Sequence, residues 1–108
     1  MRYQELVDRT RTAVLDSSGH TDPALRHAVA FGPGTQVPDV LRSYVDKVAL
    51  HAYRVTDGDV AALRSAGYSE DQIFEITAAT ALGAALRRLE RGLAVLEESG
   101  RRAPVRAR

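Results

Sequence analysis

Ile73-Phe74-Glu75-Ile76-Thr77-Ala78-Ala79-Thr80-Ala81-Leu82-Gly83-Ala84-Ala85-Leu86 is the most apolar stretch of the chain, and Glu75 is its only ionisable residue. Fourteen residues are too few to span a bilayer, so the stretch reads as a buried helix. A helix that is apolar all round has to be surrounded by protein. Gly83 costs about 1 kcal/mol relative to alanine in such a helix. Together with Ala79, four residues earlier, it makes a flat strip where another helix can approach closely. Further on, Leu82, Leu86, Leu89, Leu93 and Leu96 alternate steps of four and three, the spacing of a heptad seam. The run covers under three heptads, which suits a local helix pair or an oligomer seam. The whole helix is expected from about Glu70 to Ser99, stopped by Gly100.

Upstream, helical signals recur and no stretch alternates with a period of two. Tyr3, Leu6, Val7, Thr10, Val14 and Leu15 form one stripe in a segment from about Arg2 to Ser17. Asp22 caps a second segment, with Pro23 at its first position and Leu25, Ala28 and Val29 facing inward. Gly32-Pro33-Gly34 stops it, and Phe31 to Val37 is the longest apparent loop. A third segment runs from Pro38 to about Tyr53 on the stripe Leu41, Tyr44, Val45, Val48 and Ala52, with His51 on or beside that face. Thr56 and Asp59 form a capping box, Val55 can staple onto Val60, and Gly67 ends this short fourth helix in a left-handed conformation. Ser69 with Gln72, and Tyr68 with Ile73, repeat the same grammar at once. The expected fold is all-α: a compact bundle of five or six helices over residues 1–100 with a long buried C-terminal helix, followed by a basic, mobile tail at 101–108.

Composition narrows the chemistry. The 108 residues are 44% hydrophobic and 27% charged, which describes one globular domain. The formal charge is +1, but four arginines in the last eight residues leave −3 on the rest, a poor general binder of nucleic acid. There is no cysteine, hence no thiol nucleophile, disulfide or thiolate metal site. That composition fits a reducing compartment, and no apolar leader opens the chain, so a cytoplasmic location is expected. No pair among His20, His27 and His51 has metal-ligand spacing, and His27 reads as an exposed side chain. Thr56-Asp57-Gly58-Asp59 lacks the later ligands of a calcium loop. No Gly-rich phosphate loop or nucleophile elbow is present. A helix-turn-helix around Ala66–Ser69 would make the most apolar helix the recognition helix, which is the wrong surface for a major groove. No metal and no cofactor are expected.

Glu75 carries most of the functional argument. Its neighbours one turn away are Asp71, Gln72, Ala78 and Ala79, none of them a cation. A buried carboxylate so placed must find a partner on another element, reach solvent or hold its proton. Lys47, His51 and Arg54 are the nearest cations in sequence. One reading is a pocket carboxylate with a raised pKa, with His51 and Glu75 moving a proton while Tyr53 and Arg54 hold a small carboxylate-bearing molecule. The other is a structural tie between helices, or a glutamate at an oligomer edge, with His51 capping carbonyls, Tyr53 in the core and Arg54 complementing the helix dipole.

The stretch from Tyr44 to Leu96 resembles the carboxymuconolactone decarboxylase and alkylhydroperoxidase-D-like superfamily. The residues that carry this are Val45-Asp46-Lys47-Val48, His51-Ala52-Tyr53-Arg54-Val55-Thr56-Asp57 and Ala61 through Gly67-Tyr68-Ser69-Glu70-Asp71-Gln72-Ile73. The resemblance implies an all-helical fold and a homo-oligomer built around the central helices. Redox members carry two cysteines three residues apart and a histidine eight before the glycine. Those positions fall here on Ala52, Val55 and Asp59, and the preceding acid falls near Val40. The thiol relay is absent in every part, so peroxidase chemistry does not transfer. Two readings follow: a non-redox, decarboxylase-like enzyme or binder, and a non-catalytic structural or interaction protein of the same fold. Both are expected to self-associate, without nucleic acid or membrane as partner.

Overall fold

The computed structural model of the chain describes residues 2–32 and 36–102. Among these residues every regular element is helical. Helix α1 spans Arg2–Arg11 and runs on through a π turn at Thr12–Asp16. Helices α2 (Pro23–Phe31), α3 (Asp39–Leu50), α4 (Asp57–Ser65) and α5 (Glu70–Arg102) follow, with a 3-10 turn at Ala52–Arg54. The all-α expectation holds, and the element boundaries follow local chemistry.

The side chain of Asp22 accepts the N–H of Ala24 and Pro23 opens α2. Thr56 and Asp59 exchange both capping-box bonds at the start of α4, and Ser69 and Gln72 do the same before α5. Gly67 has φ +105°, while its N–H and that of Tyr68 donate to Arg64 and Leu63 and close the end of α4. A left-handed residue thus lets two helices follow each other with almost no loop.

Packing centres on α5, whose first half lies against α2 and α3. Leu15, Val29, Leu41, Ile76 and Ala79 form the middle of the core. The flat strip expected at Ala79 and Gly83 is used: a Cβ on Gly83 would stand 2.1 Å from the carbonyl oxygen of Ala30. Only a glycine admits α2 at that point. Two consecutive arginines of α5 then close the neighbouring helix ends. Arg87 donates to the Ala30 carbonyl at 2.6 Å and Arg88 to the Ala49 carbonyl at 3.1 Å. These carbonyls lack intrahelical partners, so each guanidinium satisfies a helix C-terminus.

Three expectations are corrected. The first half of α5 is not surrounded: Phe74 is 70% exposed and Ala81 and Ala85 face outward. Gly100 does not stop α5, which continues to Arg102, because an exposed glycine lowers helix stability without blocking the backbone geometry. Ala52 and Tyr53 lie outside the core, since the chain leaves α3 at His51 and turns through a 3-10 segment. Of the expected tail, Arg101 and Arg102 belong to α5, and 103–108 lie outside the described residues. At 33 residues α5 is about 50 Å long, and the 61 Å long axis of the molecule shows it running past the body.

Candidate functional site

Glu75 finds its partner in the connection between the π turn and α2. Its carboxylate accepts the N–H of His20 at 3.0 and 2.7 Å, the N–H of Thr21 at 2.9 Å and the hydroxyl of Thr21 at 2.6 Å. Gln72, one turn earlier on α5, donates to the His20 carbonyl at 3.2 Å. A Cβ on Gly19 would fall 2.7 Å from a Glu75 oxygen, so a side chain there would push the carboxylate aside.

These donors stabilise the ionised form. The Thr21 hydroxyl first, then the His20 N–H, hold the Glu75 carboxyl below its ordinary value against a smaller opposing effect of burial. The raised pKa expected from the sequence is therefore corrected. Side-chain spacing points to cations as partners of Glu75, whereas the backbone N–H groups that hold it leave no mark in that spacing.

The far side of the same connection is held by Arg26, which is 2% exposed. It donates to the carbonyls of Val14 at 3.0 Å, Ser17 at 2.6 Å and Thr21 at 3.4 Å. Arg26 and Glu75 thus grip one connection from two sides, one through its carbonyls and the other through its N–H groups. Sequence reasoning missed Arg26, because an arginine on a short amphipathic helix reads as a solvated side chain.

His51, Tyr53 and Arg54 stand elsewhere. All three are exposed, Tyr53 by 84%, and the His51 and Tyr53 rings meet edge to face at 6.0 Å. The end of α3 at Ala49 and Leu50 lies against Ala84 and Arg87 of α5. That is nine residues beyond Glu75, about 14 Å along the helix. The structure gathers the end-of-α3 cluster but does not bring Glu75 to it. Lys47 pairs instead with Asp59, at 2.9 and 3.0 Å. Its ammonium first, then the Thr56 N–H, hold the Asp59 carboxyl below its ordinary value. His27, exposed as expected, meets Asp16 at 2.7 Å.

A cavity of about 190 Å³ lies where α2, α3 and α5 meet, with Val29, Val37, Arg42, Val45, Asp46 and Arg87 in its wall. Neither Glu75 nor His51 lines it. Among the described residues no group of three His, Asp or Glu side chains is placed to hold a metal ion, and no helix is long and apolar enough to cross a membrane.

On the projecting half of α5, Leu89, Gly92, Leu93, Val95 and Leu96 form an open, mainly apolar surface flanked by Arg88 and Arg91. The leucine seam divides along its length. Leu86 is buried and Leu93 half-buried beside Tyr3 and Val7 of α1, whereas Leu89 and Leu96 are 42% and 68% exposed. Set against known proteins, the chain matches no family model, no curated protein and no solved structure.

Proposed function

We propose that the protein is a non-catalytic, self-associating helical interaction module, located in the cytoplasm. It would be a structural relative of the fold that Tyr44–Leu96 resembles. The observation that carries this is the uncovered apolar surface on the projecting half of α5, where Leu89, Val95 and Leu96 are 42%, 59% and 68% exposed. Exposed apolar surface that is contiguous, rather than scattered, marks an interaction site. The position of Glu75 supports the absence of catalysis. A carboxylate held ionised by three donors is a weak base, and the neighbouring His20 ring is turned to Asp71 at 3.6 Å.

The decarboxylase-like reading, with His51 and Glu75 moving a proton and Tyr53 and Arg54 holding a carboxylate, makes a different prediction. A thermal-shift screen against aromatic and lactone carboxylates separates the two. The interaction module gives no ligand stabilisation, in wild type or in Glu75→Gln. A carboxylate that raises the melting temperature of wild type and not that of Glu75→Gln would restore the enzyme.

A further inference from the structure

The uncovered face of α5 has a period of its own. Phe74, Ala78, Ala81, Ala85, Arg88, Gly92, Val95 and Ser99 follow at steps of four and three throughout, a heptad repeat beside the leucine seam. Ala78 is half-buried and the others are exposed. Apart from Phe74, Arg88 and Val95, the row consists of alanine, glycine and serine, which let two helix axes approach closely. At 1.5 Å per residue the row is about 38 Å long. With a helix diameter of about 10 Å it offers on the order of 400 Å², comparable to the largest patch of an ordinary monomer, which is often functional.

Resting on the proposed self-association, we infer that α5 pairs antiparallel with α5 of a second copy along this row. Ala78 then lies opposite Val95 of the other chain, and Ala81 opposite Gly92. Charge selects the orientation. A parallel pair in register would set Arg88 on its own copy within the seam, and like charges so placed repel. The antiparallel pair sets Arg88 opposite Ala85, and its guanidinium is already drawn aside to the Ala49 carbonyl. The helix dipoles agree, since antiparallel pairing sets the start of each α5 beside the end of the other, whereas parallel pairing joins like to like.

Size complementarity selects the register. Phe74 falls opposite Ser99 and Val95 opposite Ala78, a large residue over a small one at both ends. Leu82 of one copy flanks the seam against Leu89 of the other, which covers part of the exposed leucine row. A shift by one heptad either leaves Phe74 beyond the end of the other α5 or sets Val95 opposite Asp71.

The absence of cysteine makes the test clean. Ala78→Cys and Val95→Cys are prepared separately in the full chain, mixed, oxidised mildly at high protein concentration and resolved without reductant. The mixture should give about tenfold more cross-linked dimer than either variant alone, because a disulfide needs Cα atoms within about 7 Å. In the antiparallel pair each position is 17 residues, roughly 26 Å, from its own copy. Circular dichroism of each variant checks that the helix is intact. Efficient cross-linking of Ala81→Cys to itself would show a parallel pair and overturn the inference. Self-association of wild type without cross-links in the mixture would move the contact to another face, which overturns this pairing but leaves the proposed function. A chain that stays monomeric throughout brings down both.

Discussion

Glu75 shows how a single carboxylate can be read correctly as needing a partner and still be assigned the wrong one. Its acceptors serve two backbone N–H groups and one hydroxyl, and hydrogen bonds to a charged group contribute about 1.5–3 kcal/mol each at most in net stability. Because the carboxylate is only half-buried, water can replace part of this. Glu75→Ala is expected to lose about 2–3 kcal/mol and Glu75→Gln about 1–2 kcal/mol in urea unfolding at neutral pH. The pH dependence follows from the lowered folded pKa. The unfolded chain takes up the proton first, so the stabilisation is complete above the unfolded value and is lost as pH falls through the folded one. Asp59, held down by Lys47, acts with the same sign. Wild type should therefore lose stability as pH drops below about 5, and Glu75→Gln should lose less over the same range. Equal acid slopes for the two proteins would contradict this role for Glu75.

At the scale of elements, capping and breaking residues made the helix boundaries legible. Asp22-Pro23, Thr56 with Asp59, Gly67, and Ser69 with Gln72 act within one turn, and their geometry is the one their spacing requires. The faces were less legible. Periodicity shows that α5 is apolar nearly all round, but not which side other helices reach. Arg87 and Arg88 likewise read as surface decoration, because the carbonyls they close belong to helices distant in sequence. Two glycines of α5 separate covered from uncovered sides. Gly83→Ala gains about 1 kcal/mol of helix propensity but drives a Cβ into the Ala30 carbonyl, so a net loss of about 1–3 kcal/mol is expected. Gly92 has nothing within 4 Å, and Gly92→Ala should stabilise the isolated chain by about 0.5–1 kcal/mol. Thermal melts at low protein concentration check both. A neutral or stabilising Gly83→Ala would contradict the close approach of α2.

For the whole molecule, the radius of gyration of 17.1 Å exceeds the roughly 13 Å of a compact chain of this length. The excess comes from the part of α5 that runs beyond α2 and α3. The level at which α3 meets α5 also sets Glu75 apart from His51, Tyr53 and Arg54. Residues close together in sequence, such as His51, Tyr53 and Arg54, were easy to group. Whether a residue from a distant helix joins them depends on the level at which α3 meets α5, and no local signal encodes that level. The projecting helix and the small-residue row along it together form a surface that one copy leaves uncovered. Pairing along this row buries about 800 Å² in total, the size of a weak, transient contact, so association is expected roughly in the range of tens to hundreds of micromolar.

Sedimentation equilibrium on wild type and Ala81→Glu over that range tests this claim most directly. Ala81 is exposed in one copy, so the substitution should leave folding intact while placing a charge within the seam. The account predicts that wild type rises from 11.7 kDa toward twice that mass with increasing concentration, while Ala81→Glu remains at the monomer mass. A wild-type chain that stays at 11.7 kDa throughout, or an Ala81→Glu variant that associates as well as wild type, would contradict it.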